Sequence, residues 1–450
     1  MASDSQGPAI GEVVSLVRGN TYKSALLGQA GPVLLGLGTI ERNGGFRTDS
    51  LKTYGGKSSE KILLRPGDLY VSLKDVTQSA DLLGAIARLP ESVPLGRLTQ
   101  DTVKLDFTGA PYSKSLLYWT LRTPQYRAFC RDYATGTTTL GLAREDFLGY
   151  RLPAPDRNTL CLVELLEALQ SRIELLQQTN ATLEAIARAP FKSWFVDFDP
   201  VHAKAEGREP EGMDTATAAL FPSEFEDSEL GPIPKGWRVE QIGSLVDCLG
   251  GATPSTKNAA FWEEGIHQWA TPKDLSALRS PVLLDTARKV TDAGLAKISS
   301  GLLPAGTLLL SSRAPIGYLA IAAIPTAINQ GFIAMPPGGE LSPVFLLCWC
   351  KQNMDLIHQS ANGSTFMEIS KKAFRPLPVS VPTAEIRDAF DQLAIPIIDK
   401  ITANEQHRRS LTELRATLLP CLISGKLGFD AVKDALRKKR PLSPRCGLPI

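Results

Sequence analysis

The 450-residue chain contains no apolar run approaching the roughly 18 residues that cross a bilayer. Its opening, MASDSQGPAI, has no basic stretch followed by an apolar one, so no signal peptide is expected. Seven cysteines are scattered at 130, 161, 248, 348, 350, 421 and 446. An odd, dispersed set in a long chain points to reduced thiols and a cytoplasmic setting. Cys348 and Cys350 lie in the apolar segment FLLCWC with no histidine nearby, and read as core thiols rather than metal ligands. The four histidines, at 202, 267, 358 and 407, are isolated from one another. No GxxxxGK[ST] phosphate loop is present, which excludes an ATP-driven motor of that type. The one Pro-Pro pair reads MPPG, so the Asp-Pro-Pro-Tyr tetrapeptide that grips a flipped adenine in a methyltransferase is missing. No Glu-x-Lys or Asp-x-Lys occurs, so a typical restriction-nuclease metal site is missing too. The turns around Gly136 and Gly363 lack the following helix and lysine of an anion loop, and read as plain turns. No catalytic residue and no metal site is expected.

What is present is ordinary globular composition, 43% hydrophobic and 21% charged, in a chain long enough for two or three domains. The net charge of +2 hides an uneven distribution. Residues 10–155 carry 18 Lys and Arg against 13 Asp and Glu; residues 233–382 carry 13 against 10. Between them, residues 197–229 carry 2 against 10. Two mildly basic blocks flank an acidic connector, a field that suits a polyanion at two places.

The blocks also repeat each other. IGEVVSLVRGNTYKS (10–24) aligns with IGSLVDCLGGATPST (242–256), pairing Gly19 with Gly251 at an offset of 232. LRPGDLYVS (64–72) aligns with LPAGTLLLS (303–311). ATGTTTLGLAREDFLGYRLPAP (134–155) aligns with ANGSTFMEISKKAFRPLPVSVP (361–382), pairing Gly136 with Gly363 and Thr138 with Thr365. Short strands broken by Gly and Pro predict mixed α+β blocks with an antiparallel tendency. Amphipathic helices are expected near 114–130, interrupted at Pro124, and at 343–359.

A helical segment follows each block, at 161–191 and 389–419. In the first, Leu162, Leu169, Leu176 and Leu183 fall seven apart, with Leu166, Ile173, Asn180 and Ala187 as a second row. In the second, Phe390, Ile397, Asn404 and Leu411 fall seven apart, and Ile401 joins that seam. Sustained heptads in two helices at a matching offset predict that they pair with each other, with Asn180 and Asn404 as register-fixing polar positions. Paired antiparallel, they would relate the two blocks by an approximate two-fold axis, the way a protein reads two separated DNA half-sites.

At this point the residues resemble a known family. FKSWFVDFDPVHAKAEG (191–207), continuing through MDTATAALFPSEFEDSELGPIPKGW (213–237), is similar to the central conserved region and connector of type I restriction-modification specificity subunits. GGATPST with Phe261 and Trp262, and SSRAPIGYLAIAAIPTAINQGF (311–332), resemble the opening and middle of their target-recognition domains. SLTELRATLLPCLISGKL (410–427) resembles their distal conserved helix. The likeness runs from about residue 10 to 427. It implies an α+β fold with two tandem target-recognition domains, each followed by a long conserved helix, the two helices pairing as an antiparallel coiled coil. The expected boundaries are 1–156 and 233–383 for the domains, 157–196 and 384–427 for the helices, 197–232 for the connector and 428–450 for a basic tail. The resemblance implies double-stranded DNA, two methyltransferase subunits and restriction/translocase subunits as partners, and no membrane. S-adenosylmethionine, ATP and Mg would bind those partners, with no cofactor in this chain. The first block lacks a clear counterpart to the SSRAPIG…NQGF run, the nearest being VSLKDVTQSADLLGAIA (71–87). The tail, with RKKR at 437–440, extends past the family pattern and reads as a solvated end.

The DNA-binding candidates follow from residue chemistry and from the offset. In the second block Asn329 and Gln330 carry amides that bond bidentately to adenine N6 and N7, and Lys257, Lys273 and Arg313 are phosphate or guanine candidates. In the first block the offset puts Asn20, Tyr22 and Lys23 in the places of Ala252, Pro254 and Ser255, Lys74 follows its strand as Arg313 follows SS, and Arg18, Lys23 and Lys74 are expected near the backbone of one half-site. The competing readings are a recognition subunit of a related modification or phage-defence system, a fused methyltransferase-specificity fragment, and a coiled-coil scaffold without a DNA role.

Overall fold

A computed structural model describes residues 7–49, 51–363 and 367–424. Thr365, Cys446 and the basic tail with its RKKR run lie outside the described residues. The chain divides into two compact units, Met1–Arg172 with Ser410–Ile450, and Ile173–Arg409. Each unit boundary falls inside a long helix, Arg157–Phe195 or Ala384–Leu418.

The first unit is built on a four-stranded antiparallel sheet in the order Val14–Arg18, Thr102–Phe107, Leu69–Ser72, Ile86–Arg88. Beside it, Val33–Leu35 runs parallel to Gly96–Leu98, which pairs antiparallel with Leu63–Leu64. Lys74–Asp75 pairs with Leu140–Gly141. The helix expected near 114–130 is two helices, Lys114–Thr120 and Pro124–Asp132. Pro124, which has no N–H to donate, opens the second one behind a Thr123 cap. Side chains from Leu69, Val71, Leu105, Trp119 and Tyr126 fill the core against Leu162, Leu166 and Leu169 of the long helix.

The second unit has the sheet order Val282–Leu283, Ile316–Ala322, Leu308–Ser312, Phe332–Met335. Its companion sheet places His267–Ala270 parallel to Thr326–Ile328 and antiparallel to Arg288–Val290. The pairing order recurs between units. Leu69–Ser72 and Leu308–Ser312, aligned by sequence, each pair antiparallel on both sides. Gly96–Leu98 and Thr326–Ile328 each run parallel to one earlier strand. Cys348 and Cys350 lie on the buried helix Pro343–Gln352, and burial pushes the Cys348 thiol up to about 12, as a core thiol requires. The acidic connector is folded: its helices Asp199–Ala205 and Thr215–Leu220 and its ribbon of 225–228 with 231–234 bury Val201, Phe221 and Ile233 in this unit's core. Burying those three apolar side chains holds a strongly charged segment in place.

The first long helix has 39 residues and follows Asp156, whose Oδ1 accepts from the Thr159 N–H at 2.8 Å. That bond holds the Asp156 carboxyl below the usual carboxylate range. The expected seam positions Leu162, Leu166, Leu169, Ile173, Leu176, Asn180 and Ala187 are all buried and Leu183 is half-buried; Val163 is buried beside the seam. On the second, Phe390 and Ile401 are buried, while Ile397 and Leu411 are half-buried and Ile398 takes the inward place beside Ile397. No helix among the described residues is long and apolar enough to cross a membrane.

Candidate nucleic-acid interface

In the second unit the candidate residues gather around the turn 329–331. The Asn329 N–H donates to Ala270 O at 3.1 Å, which continues the parallel strand pairing for one more residue. The Asn329 Oδ1 accepts from Gly331 N–H at 2.9 Å, closing the turn locally. Gln330 is exposed, and its Oε1 accepts from the Thr253 hydroxyl at 2.5 Å. That bond joins the turn to the loop carrying Lys257. The Ser312 N–H donates to Gly331 O at 2.8 Å, which brings Arg313 alongside, and Pro272, next to Lys273, packs on Gly331. Arg313 is ion-paired with Glu368 at 3.6 Å. Lys257 and Lys273 are exposed and carry no ion pair among the described residues. The turn therefore carries the exposed Gln330 side chain, with the paired Arg313 alongside and with Lys257 and Lys273 on the two segments that touch it.

Two indoles strap the adjoining loop. Trp269 Nε1 donates to Ala252 O at 3.2 Å and Trp262 Nε1 to Ser255 O at 3.0 Å, and the rings meet edge to face at 4.9 Å. Gly251 sits where its backbone touches Ile328 O, an approach only glycine permits. Sequence reasoning did not find this part for the two tryptophans; the signal was their presence in an otherwise polar stretch.

The first unit has the same construction around 99–101. The Thr99 N–H donates to Leu35 O at 3.2 Å, the counterpart of the Asn329 bond. Asn20 bridges to Thr99, Arg18 Nε donates to Gln100 O at 3.4 Å, and Lys74 pairs with Asp101 at 3.7 Å. Lys74 opposes Gly141 as Arg313 opposes Glu368. This turn is the counterpart of the NQGF run, and it is not in residues 71–87. Leu98, Thr99, Gln100 and Asp101 stand where Ile328, Asn329, Gln330 and Gly331 stand, with the glutamine alone unchanged. One identity in four is too little to align by eye.

Beneath this turn lies Arg97, 2% exposed and without a carboxylate partner among the described residues. Its guanidinium covers the Tyr54 ring at 4.7 Å and donates to Ser58 Oγ at 3.0 Å, to Leu98 O at 3.1 Å, to Thr21 O at 2.9 Å and to Asn20 Oδ1. Asn20 is thereby an anchor of the loop, its oxygen turned inward. Tyr22 and Lys23 stay exposed, Tyr22 edge-on to Tyr54 at 6.3 Å and the Lys23 N–H 3.5 Å from the Tyr54 hydroxyl. Among the described residues no three His, Cys, Asp or Glu side chains gather where they could hold a metal ion.

The long helices meet in each unit. In the first, Leu162, Leu166 and Leu169 share a core with Leu418 and Leu422, and Arg415 donates to Gln170 Oε1. In the second, Asn404 Nδ2 donates to Asn180 Oδ1 at 2.8 Å, Asn180 Nδ2 to Glu405 Oε2 at 3.4 Å, and Phe390 packs against Phe191 and Phe195.

Comparison with known proteins bears on what these turns face. Residues 234–415 match the family model for the type I restriction modification DNA specificity domain. The Haemophilus influenzae type I restriction enzyme HindI specificity subunit is 27% identical over 319 residues, covering 61% of this chain and 69% of that protein. The Methanocaldococcus jannaschii type I restriction enzyme MjaIX specificity subunit is 32% identical over 193 residues, 42% of this chain and 44% of that protein. The crystal structure of a type I restriction-modification system S subunit from M. genitalium superposes with a TM-score of 0.55 at 14% identity, covering 94% of this chain and 98% of that one, a likeness of fold. The second half of the chain thus matches a type I restriction modification DNA specificity domain, and the relatives it resembles are type I specificity subunits.

Proposed function

We propose that this chain is the non-catalytic recognition subunit of a type I restriction-modification complex and reads a bipartite, asymmetric DNA target, one half-site per block. The blocks are residues 1–156 and 233–383. The helices 157–196 and 384–427 pair as an antiparallel coiled coil, with 197–232 as connector and 428–450 as a basic tail. The observation that carries the reading is the recurrence of one turn, 99–101 and 329–331, at the end of the same parallel pairing, with Arg18 and Lys74 bonded to the first and Arg313 adjoining the second. Two surfaces of one plan but different residues suit two half-sites of different sequence. The helix contacts support the pairing: from Asn180 to Phe195 on one helix, the partners run from Glu405 back to Phe390 on the other.

Chemistry belongs to the partners. Methyltransferase subunits bring S-adenosylmethionine and adenine N6 methylation; restriction/translocase subunits bring ATP and Mg; the complex works in the cytoplasm. Co-expression of the chain with its methyltransferase subunit tests the proposal. Purified complex should shift duplex DNA with steep salt dependence and methylate adenines in one two-part motif. The chain alone should transfer no label from S-adenosylmethionine to DNA. Label transfer by the pure chain, or a complex that methylates without a two-part motif, would overturn it.

A further inference from the structure

Arg288 opens the edge strand Arg288–Val290 and stands directly opposite Trp269 in the antiparallel pairing. Its guanidinium carbon lies 3.6 Å from the centre of the Trp262 ring and 5.6 Å from that of Trp269. Stacking of this kind uses the flat face of the cation and leaves its edge of N–H donors open. The residue is exposed, and its side chain makes no hydrogen bond and no ion pair among the described residues.

Two of the carboxylates close in sequence are already engaged. Asp274 accepts from Thr271 through Oδ2 and from the Ala287 N–H at 2.8 Å through Oδ1. Asp285 is paired with Arg409. Among the described residues no carboxylate pairs with the Arg288 guanidinium, while the Trp262 ring covers its face. The indoles that fix it also strap the loop from Ala252 to Ser255, which leads to Lys257 and bonds through Thr253 to Gln330. Neither Arg97 nor Arg313 has this character: Arg97 spends its donors on Ser58, Leu98, Thr21 and Asn20, and Arg313 is paired with Glu368.

We infer that Arg288 reads a guanine in the half-site of the second block, its donor fork held edge-on by Trp262 so that it meets O6 and N7 of one base in the major groove. The inference rests on the DNA-recognition reading above. A planar fork matches the two guanine acceptors together, whereas an ammonium group is a point charge that satisfies a phosphate equally well. Trp262 acts through Arg288 and is a positioning residue.

The test is methylation of a randomised target library by the complex with its methyltransferase, comparing wild type with Arg288→Lys and Arg288→Ala. Wild type should demand guanine at one position of one half-site. Both variants should relax that demand by about tenfold to a hundredfold, leaving the other positions, the other half-site and the far-UV dichroism unchanged. Lysine should fail to rescue the preference although it keeps the charge. Uniform weakening over all sequences, with a shallower salt dependence and rescue by lysine, would make Arg288 a phosphate contact and overturn the inference. Unchanged preference in both variants would overturn it as well. A wild-type complex with no sequence preference at all would instead remove the recognition reading on which the inference stands.

Discussion

A methyl group on Gly251 would meet the carbonyl oxygen of Ile328 at 1.8 Å, and one on Gly19 would meet that of Thr99 at 2.1 Å. Neither carbonyl belongs to a flexible side chain, so the strand itself must move. Gly251→Ala is expected to cost about 3 kcal/mol, the upper end of what over-packing costs, read as a lowered urea midpoint. Gly28, where an added methyl meets nothing within 4 Å, is the control, with a cost near 1 kcal/mol set by its left-handed backbone. The sequence alignment paired Gly19 with Gly251, but its reason was hidden, because the opposing strand lies some eighty residues further along. At Arg313 the structure changes the expected balance. Its pairing with Glu368 at 3.6 Å is partly solvent-exposed and contributes no more than about 1 kcal/mol. Arg313→Ala should therefore leave the urea midpoint nearly unmoved, weaken cognate binding, and lower the slope of log affinity against log salt by about one if it touches a phosphate. Unchanged affinity at physiological salt would remove Arg313 from the interface.

Between elements, polar contacts do what the hydrophobic pattern alone does not specify. The heptads of both helices were legible because an apolar seam writes itself at fixed spacing, and the buried face of the first helix follows it from Leu162 to Ala187. The Glu167 anchor was not legible, because it joins a helix, a strand and a second helix far apart in the chain. Its Oε2 and Oε1 accept from Arg88 Nη1 and Nη2 at 2.9 and 2.7 Å, and Oε1 also accepts from Trp119 Nε1 at 3.0 Å. Partial burial pushes this carboxyl up, but the bonds from Arg88 and Trp119 outweigh it and hold it below the usual glutamate range. A depressed folded value means the contribution is complete above the ordinary glutamate range and is lost as pH falls through the folded one. Glu167→Gln should cost about 2 kcal/mol at neutral pH, and the difference from wild type should shrink in acid. A cost that is constant with pH would mean that packing, not charge, is responsible. The Asn180–Asn404 bond lies within a seam, with Glu405 adjoining it and Arg408 donating to Glu405 at 2.7 Å. Asn404→Leu alone orphans the Asn180 oxygen and should cost about 1–3 kcal/mol. Replacing both asparagines by leucine should recover much of that loss, since the pair is exchanged for apolar packing. Additive losses in a double-mutant cycle would show that the two amides do not depend on each other.

For the molecule as a whole, modular reading and a helical ruler are separable proposals. Exchanging residues 1–155 for another family member's block should change one half of the target and leave the other; a change in both halves would show that the blocks do not read independently. The ruler is tested by length. Within the second unit Asn180 meets Asn404, and within the first Gln170 meets Arg415, so residues on the two helices are matched with a nearly constant sum of numbers. Four residues inserted into one helix alone would leave one of these contacts out of step by about 6 Å, at 1.5 Å per residue. The matched insertion places four residues between Gln177 and Gln178 and four between Gln406 and His407, where the same pairing puts the two breaks opposite each other. Four residues are a little over one turn, so both seams are displaced by a tolerable fraction of a repeat. The helices then lengthen by about 6 Å, and at roughly 3.4 Å per base pair the gap between half-sites should widen by one or two base pairs. Each half-site sequence should stay as it was, because both turns, 99–101 and 329–331, are untouched. The singly inserted helix should instead lower the melting temperature, having lost the Gln170–Arg415 or the Asn180–Asn404 match. Mapping the adenines methylated by the doubly inserted complex decides the matter. An active complex that keeps the original gap would mean that the helices serve assembly rather than spacing, with the recognition of two half-sites left standing.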